Sequence, residues 1–422
     1  MKRDLKWLFL DLNSYFASVE QNEHPELRGK PVAIVPMQTD STCAIAASYE
    51  AKAFGVKTGT LIYQAKKMCP GLICIPANHK LYVDYHHRIM DEVENHLPIH
   101  QKFSIDEVGC KLLGAEKEMA NAIRLAQNIK AGLRKNVGPN ITCSIGLAPN
   151  NLLAKIGTEM QKPDGLVTLP PEDLPGKFAR FPLQTIPGIG PNMLKRLQRV
   201  GIHTIQQLYD LPPKQVRAIW GGVQGERLWL QLHGQDVPHE ETTRRMIGHS
   251  RILPPNLRPA EEARKVGRLL TVKAARRLRR EGYFTKRFVI SLRFENKDKY
   301  THEIPLPYSN DDFTFLNSLE HFWATIPTHL QRQRVKKVSV VFHHLTPVGQ
   351  ESGDLFENAS AHSTKEAKAR FKTLTTTIDG LVDKYDDPTI VRLGDIADTH
   401  KMHDLGTKIA FSRIPDKEEF RE

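Results

Sequence analysis

Trp7-Leu8-Phe9-Leu10-Asp11-Leu12-Asn13 and Phe103-Ser104-Ile105-Asp106-Glu107-Val108 are the two stretches that decide how this chain is read. Each is a short apolar run of the kind that forms a buried strand, and each places carboxylates at or just beyond its apolar part. A carboxylate where a sheet would carry core side chains is costly unless something pairs with it. Three such acids, Asp11, Asp106 and Glu107, would make a hard, oxygen-rich, negative site of the kind Mg²⁺ takes, substrate phosphates completing its shell. Two ions side by side form the clamp used for in-line phosphoryl chemistry by polymerases and nucleases. Either motif alone reads equally well as acids capping strand ends.

Composition narrows the class. A chain of 422 residues is too long for one core and predicts three or four modules. Lys and Arg number 60 against 48 Asp and Glu, a net charge of +12, which points to a polyanionic partner. No apolar run is long enough for a spanning helix, and Asp4 sits where a signal peptide would begin its apolar segment. The five scattered cysteines read as reduced thiols in a cytoplasmic protein. The pairs His86-His87 and His343-His344 lack the i, i+4 spacing of helical metal ligands.

Periodicity predicts strands at 5–12, 32–35 and 141–148, a hairpin-type pair over 102–113 around the acids, and helices at 14–20, 80–96, 116–137 and 151–160, with Ser14 as an N-cap. These make an α+β layer, a mixed sheet with helices on one face. Pro170-Pro171, Pro175 and Pro182 mark a boundary, beyond which 171–240 reads as short helices. A second α+β unit follows: strand 246–253, helix 259–281, strands 286–295 and 299–306, helix 311–325, strand 335–345. That order, βαββαβ, fits a ferredoxin-like layer. Residues 242–345 hold 21 Lys and Arg against 9 Asp and Glu, so the excess base of the whole chain is local to this unit and predicts a docking surface.

Ile186-Pro187-Gly188-Ile189-Gly190, followed by an amphipathic run and Val200-Gly201-Ile202, has the pattern of a helix-hairpin-helix. Gly188 and Gly190 allow a tight turn that would aim backbone N–H groups at a DNA phosphate. The basic residues along 264–280, with Lys286-Arg287 and Lys336-Lys337, read as phosphate contacts that position a duplex without reading sequence; Arg244, Arg245, Arg251 and Lys336 are the leading candidates. Tyr49, Lys52 and Lys162 could hold a triphosphate. Gly55-Val56-Lys57-Thr58-Gly59 lacks P-loop spacing. In the polar 346–422 tail, Leu355 and Phe356 of Ser352-Gly353-Asp354-Leu355-Phe356 read equally as a docking peptide or a local apolar contact.

Taken together the chain resembles the Y-family (translesion) DNA polymerases, and most closely bacterial polymerase IV and the catalytic subunit of polymerase V. The resemblance is carried by Asp11-Leu12-Asn13-Ser14-Tyr15-Phe16-Ala17-Ser18-Val19-Glu20, Tyr49-Glu50-Ala51-Lys52, Ser104-Ile105-Asp106-Glu107 and Pro187-Gly188-Ile189-Gly190, in the family's order across about residues 5–345. It implies a right-hand architecture: palm 1–24 and 86–170, fingers 25–85, helix-hairpin-helix thumb 171–241, little finger 245–345. It implies Asp11, Asp106, Glu107 and the Leu12 carbonyl as ligands of two Mg²⁺ (or Mn²⁺). Tyr15, Phe16, Tyr49, Lys52 and Lys162 would contact the dNTP, with Phe16 as the steric gate against a 2′-OH. Leu355 and Phe356 would meet a sliding clamp. The implied activity is low-fidelity extension of a primer 3′-OH on damaged DNA, without proofreading. Asn13, Lys52 and Val108-Gly109-Cys110 depart from the commonest pattern, as does Ser352 in the clamp peptide. Two rivals are a non-catalytic polymerase-like adaptor for DNA and clamp, and a palm-type nucleotidyl cyclase. Three clustered acids are unneeded in the first, and the helix-hairpin-helix and basic unit have no role in the second.

Overall fold

The computed structural model describes residues 5–238, 244–350 and 362–385, which fall into two compact units divided between 238 and 244. The first unit opens with β1 (Trp7–Leu12), buried at every position. It continues through α1 (Tyr15–Glu23), β2 (Val32–Val35), β3 (Ala46–Ala47), α2 (Tyr49–Ala53), α3 (Ile62–Met68), β4 (Ile73–Pro76) and α4 (His79–Glu94). Then come β5 (Ile99–Lys102), β6 (Glu107–Lys111), α5 (Met119–Gly132), β7 (Cys143–Ala148), α6 (Asn151–Met160) and β8 (Leu166–Thr168). Four short helices close the unit: α7 (Pro191–Arg199), α8 (Ile205–Tyr209), α9 (Pro213–Trp220) and α10 (Val223–Leu232).

The main sheet has the order β5-β6-β1-β7-β8. β1 lies between β6 and β7, antiparallel to both, which is why its sequence is apolar on both faces. A core of Leu8, Leu10, Tyr82, Ile89, Val108 and Ile145 packs α1, α4 and α5 against it. A small separate sheet, β3-β2-β4, belongs to the 25–85 segment. The predicted strands and helices are found, but helices cover both faces of the main sheet and not one: Trp7 and Phe9, which alternate with Leu8 and Leu10 along β1, pack with Leu153 and Ile156 of α6. Two local differences remain. The helix predicted over 116–137 is α-helical only over Met119–Gly132 and widens into a π-turn at Leu133–Val137. Ser14 precedes α1 but makes no side-chain cap. Its φ of 46° is left-handed, and its Oγ instead accepts from Lys52 Nζ at 2.6 Å.

The second unit runs β9 (Met246–Ile252), α11 (Ala260–Arg280), β10 (Tyr283–Phe294), β11 (Lys299–Ser309), α12 (Asp312–Ala324), α13 (Thr328–Gln331) and β12 (Val335–Pro347). The expected βαββαβ order is present, its four strands all antiparallel in the order β11-β10-β12-β9. One face carries Phe288, Ile290, Leu292, Val338, Val340 and Phe342 into a core shared with α11 and α12. Part of the segment read as a tail is ordered: α14 (His362–Tyr385) packs on this unit, Phe371 stacking on Phe313 at 4.7 Å and Asp379 pairing with Arg279 at 2.6 Å. The peptide with Leu355 and Phe356 lies outside the described residues.

Candidate active site

β1 and β6 run side by side with Asp11 directly opposite Glu107. The Leu12 N–H donates to the Asp106 carbonyl at 2.9 Å, so two motifs far apart in sequence meet at one end of the central strand pair. Asp11 is 5 % exposed. Its Oδ1 accepts from Lys162 at 2.9 Å and its Oδ2 faces Lys155 at 3.7 Å; Lys155 also reaches Glu107 at 2.5 Å. The Ser104 hydroxyl donates to Asp106 Oδ1 at 2.5 Å. Burial pushes the Asp11 carboxyl above its ordinary range despite both lysines. Asp106 is pushed up by burial and then by the charge of Asp11, against the Ser104 bond. Burial alone would lower Lys162, but Asp11 and Glu159 hold it protonated.

The donor set is all oxygen and its negative charge is incompletely compensated, which fits a hard divalent cation. Among the described residues no three His, Cys, Asp or Glu side chains close around one point. In this structure Lys155 and Lys162 lie on the acids instead.

Tyr49, Lys52 and Lys162 are brought to the same place. Lys52 Nζ lies 4.4 Å over the Tyr49 ring, and its pKa is lowered by burial and by the neighbouring Lys162 charge. Two ammonium groups that repel one another beside a phenol suit a polyanion. Phe16 is half-buried and stacks on Tyr82 at 4.3 Å and 13°. Tyr15 is placed differently from the sequence expectation: it is 4 % exposed, and its hydroxyl donates to the Tyr82 carbonyl at 2.5 Å, so its ring belongs to the core. Asn13 is buried and spends its amide on Ser144 at 2.9 Å and the Asp164 N–H at 2.8 Å, a scaffolding role. Gly109 leaves room for the rings of Phe103 and Trp7, which a Cβ there would meet at 2.8 and 3.2 Å. Sequence reasoning does not single out Lys155 or Tyr82, and names Ser104 only within the Ser104-Ile105-Asp106-Glu107 motif, without a role. Lys155 lies on the helix already predicted at 151–160, and four-residue spacing to Glu159 was the available signal.

Gly188 has a φ of 91°, and Gly190 is the extended residue before α7; a Cβ at either would meet nothing. The N-terminus of α7 is therefore open. A cleft of about 370 Å³, lined by Lys155, Glu159, Pro182, Gln184, Thr185 and Pro187, adjoins this turn.

In the second unit, the basic helix expected to meet phosphate is largely balanced within the domain. Arg264 and Arg268 pair with Glu320, Arg277 with Glu281, and Arg279 with Asp312 at 2.9 Å. The acids come mostly from α12, which lies alongside α11. The helix-free face of the sheet is different. One register row carries Lys299, Arg293 and Lys337; the next carries Thr301, Ser291, Ser339 and Ser250. Arg287, which pairs with Glu303 at 3.2 Å, and His343 form a further row. Residues directly opposite share a face, so these rows point away from the core. Of the sequence candidates, Arg244 pairs with Glu281, Arg245 and Lys336 are exposed, and Arg251 lies in register with buried Val338 on the core side. Lys337, and not Lys336, belongs to the basic row.

Comparison with known proteins gives one consistent result. The impB/mucB/samB family matches residues 10–159, its C-terminal domain residues 244–355, and the DNA polymerase-iota thumb domain residues 184–236. A DNA polymerase IV of Moorella thermoacetica is 39 % identical over 69 % of this chain and 73 % of its own length. One from Pelotomaculum thermopropionicum is 35 % identical over 68 % and 72 %. Among solved structures, an insertion ternary complex of Dbh DNA polymerase is 25 % identical with a TM-score of 0.55, covering 82 % of this chain and 100 % of that one. A Y-family chimera of Dbh and Dpo4 is 24 % identical and gives a TM-score of 0.69 over 81 % of this chain and 100 % of its own. The chain belongs to the impB/mucB/samB family, the Y-family polymerases, and is a DNA-directed DNA polymerase of the translesion type.

Proposed function

We propose that the acids at the end of β1 and β6 are the reacting centre, where a primer 3′-OH attacks the α-phosphate of a dNTP on a damaged or distorted template. The observation that carries this reading is the meeting of Asp11, Asp106 and Glu107 across one strand pair, beside Lys52 and Lys162. Asp11, Asp106, Glu107 and the Leu12 carbonyl would hold two Mg²⁺, or Mn²⁺ in their place. When bound, these ions would lower the pKa of the attacking hydroxyl and neutralise charge on the leaving pyrophosphate. Tyr49, Lys52 and Lys162 hold the triphosphate, Lys162 leaving Asp11 to do so. Phe16, braced by Tyr82, walls off the sugar so that an added 2′-oxygen clashes. Low fidelity and lesion bypass are what the family relationship implies for such a centre.

The domain assignments follow: palm 1–24 and 86–170, fingers 25–85, thumb 171–241 and little finger 245–345. Gly188, Gly190 and the open end of α7 would hold one phosphate strand. The helix-free face of the second sheet, with Lys299, Arg293 and Lys337, would hold the duplex through its backbone, with hydroxyl side chains between. Leu355 and Phe356 would dock a sliding clamp, which Phe356→Ala should weaken in clamp-stimulated extension. The place of action is the cytoplasm, on nucleoid DNA. No helix among the described residues is long and apolar enough to cross a membrane.

The test is primer extension on undamaged and abasic templates with Mg²⁺, wild type beside Asp106→Ala. Loss of extension in the variant, with primer–template binding kept, supports the reading. No extension by either protein, with tight DNA binding, would favour the adaptor.

A further inference from the structure

We infer that His86 is a positioning residue: its imidazole, donating to the Ile105 carbonyl, fixes the peptide that carries Asp106 and Glu107. The inference rests on the reading that these acids form the reacting centre.

The turn between β5 and β6 is held by few bonds. Phe103 N–H and Ser104 N–H both donate to the Glu107 carbonyl, at 2.9 and 3.3 Å, and the Asp106 carbonyl is taken by Leu12. The Ile105 carbonyl sits outside the strand ladder. Its partner is His86 Nδ1 at 2.7 Å, reaching across from α4. Ile105 is 7 % exposed and His86 1 %, so water does not supply this bond. A carbonyl only accepts, so Nδ1 carries the proton and Nε2 is left as an acceptor. Among the described residues Nε2 is buried with no hydrogen-bond partner. Nothing therefore draws the proton to the other nitrogen. Burial, with smaller pushes from Lys102 and His87, holds the ring's pKa down to about 4 against the Ile105 bond, so it is neutral where polymerases work.

A buried imidazole with one orphaned nitrogen is a costly way to fill space, since an apolar ring would avoid the penalty. What the imidazole adds is a fixed orientation for the Ile105–Asp106 peptide. The same peptide's N–H, on Asp106, faces Ser104 Oγ at 3.4 Å, and the Ser104 hydroxyl in turn holds the Asp106 carboxylate. Rotating that peptide would swing both carboxylates off the end of β1. α4 thus braces the acids through His86 as it braces Phe16 through Tyr82.

The test compares His86→Phe, which keeps ring volume and removes the donor, with His86→Asn, whose amide nitrogen sits near the place of Nδ1. Turnover and dNTP KM are read on primer–template, and Mn²⁺ affinity is read by electron paramagnetic resonance without nucleotide. His86→Phe should lose about tenfold in turnover and in Mn²⁺ affinity, at the low end for residues that orient metal ligands, with little change in KM. His86→Asn should recover most of both. Wild-type turnover in a folded His86→Phe, or equal defects in the two variants, would overturn the inference. Should His86→Phe not fold, nitrogen-15 NMR of the wild-type ring decides: a slowly exchanging Nδ1 proton supports it, and an Nε2–H tautomer sinks it. Failure of the polymerase reading itself shows separately, as a wild type that does not extend a primer, and would take this inference with it.

Discussion

Adding a single methyl group at Gly146 should both destabilise the first unit and disable the site. Gly146 lies on β7 opposite Phe9. A Cβ there would stand 1.8 Å from the Ala154 carbonyl oxygen and 2.8 Å from its carbon, both in the backbone of α6. Gly157 faces it from the helix, its own Cβ position 3.2 Å from the Gly146 Cα. Helix and strand touch backbone to backbone here. An ordinary carbon–oxygen contact is about 3.3 Å, so Gly146→Ala must lift α6 by about 1.5 Å. Overpacking of this kind costs about 1–3 kcal/mol. At about 2–4 °C per kcal/mol for a unit of this size, the melting temperature should fall by about 2–12 °C. α6 also carries Lys155 against Glu107 and leads into Lys162 against Asp11. Misplacement of about 1 Å at a reacting centre can cost about 100-fold in rate. Calorimetry and single-nucleotide incorporation on one preparation measure both effects. A variant that melts with the wild type and incorporates at the same rate would refute the close approach and the role assigned to α6.

Four further outcomes are expected. Asp106→Asn should abolish extension while raising stability by about 0.5–2 kcal/mol in denaturant titration, because the amide keeps the Ser104 bond without the buried charge. His86 has a folded pKa of about 4 against 6.5 unfolded, so the unfolded chain binds the extra proton between those values. Stability is fully present above pH 6.5 and should fall by about 3 kcal/mol toward pH 4, a slope missing from His86→Phe. Phe16→Ala should lower discrimination against ribonucleotides by about 10- to 200-fold in competition assays; unchanged discrimination would remove Phe16 as the gate. Lys337→Ala should reduce the slope of log affinity against log salt for duplex binding by about 1, with little dependence on sequence, whereas Arg251→Ala should leave it unchanged.

The strands, most helices, the βαββαβ order and the three acids were legible because each depends on local pattern. An apolar run broken by a carboxylate reads the same whatever lies beside it. Gly188, before α7, is likewise required by its own left-handed backbone. What pattern could not supply was the facing of side chains. Arg251 and Lys337 are both basic residues on strands, and only the register of β9 on β12 sends one toward the core and the other to the open face. The cations of α11 read as a phosphate-binding stripe until α12 is seen to lie alongside with Glu320 and Asp312. Tyr15 and Phe16 are adjacent aromatic residues. The start of α1 turns Tyr15 into the core and leaves Phe16 half-exposed on Tyr82.

By itself, then, the sequence determined which residues are acids at strand ends, which turns need glycine, and that a basic α+β unit follows a catalytic one, since these are properties of short windows of chain. Tertiary structure alone decided that Asp11 meets Glu107, that Lys155 and His86 stand behind the acids, and which strand cations face away from the core. Those relations join residues distant in the chain through strand register and helix packing, and no local preference encodes them.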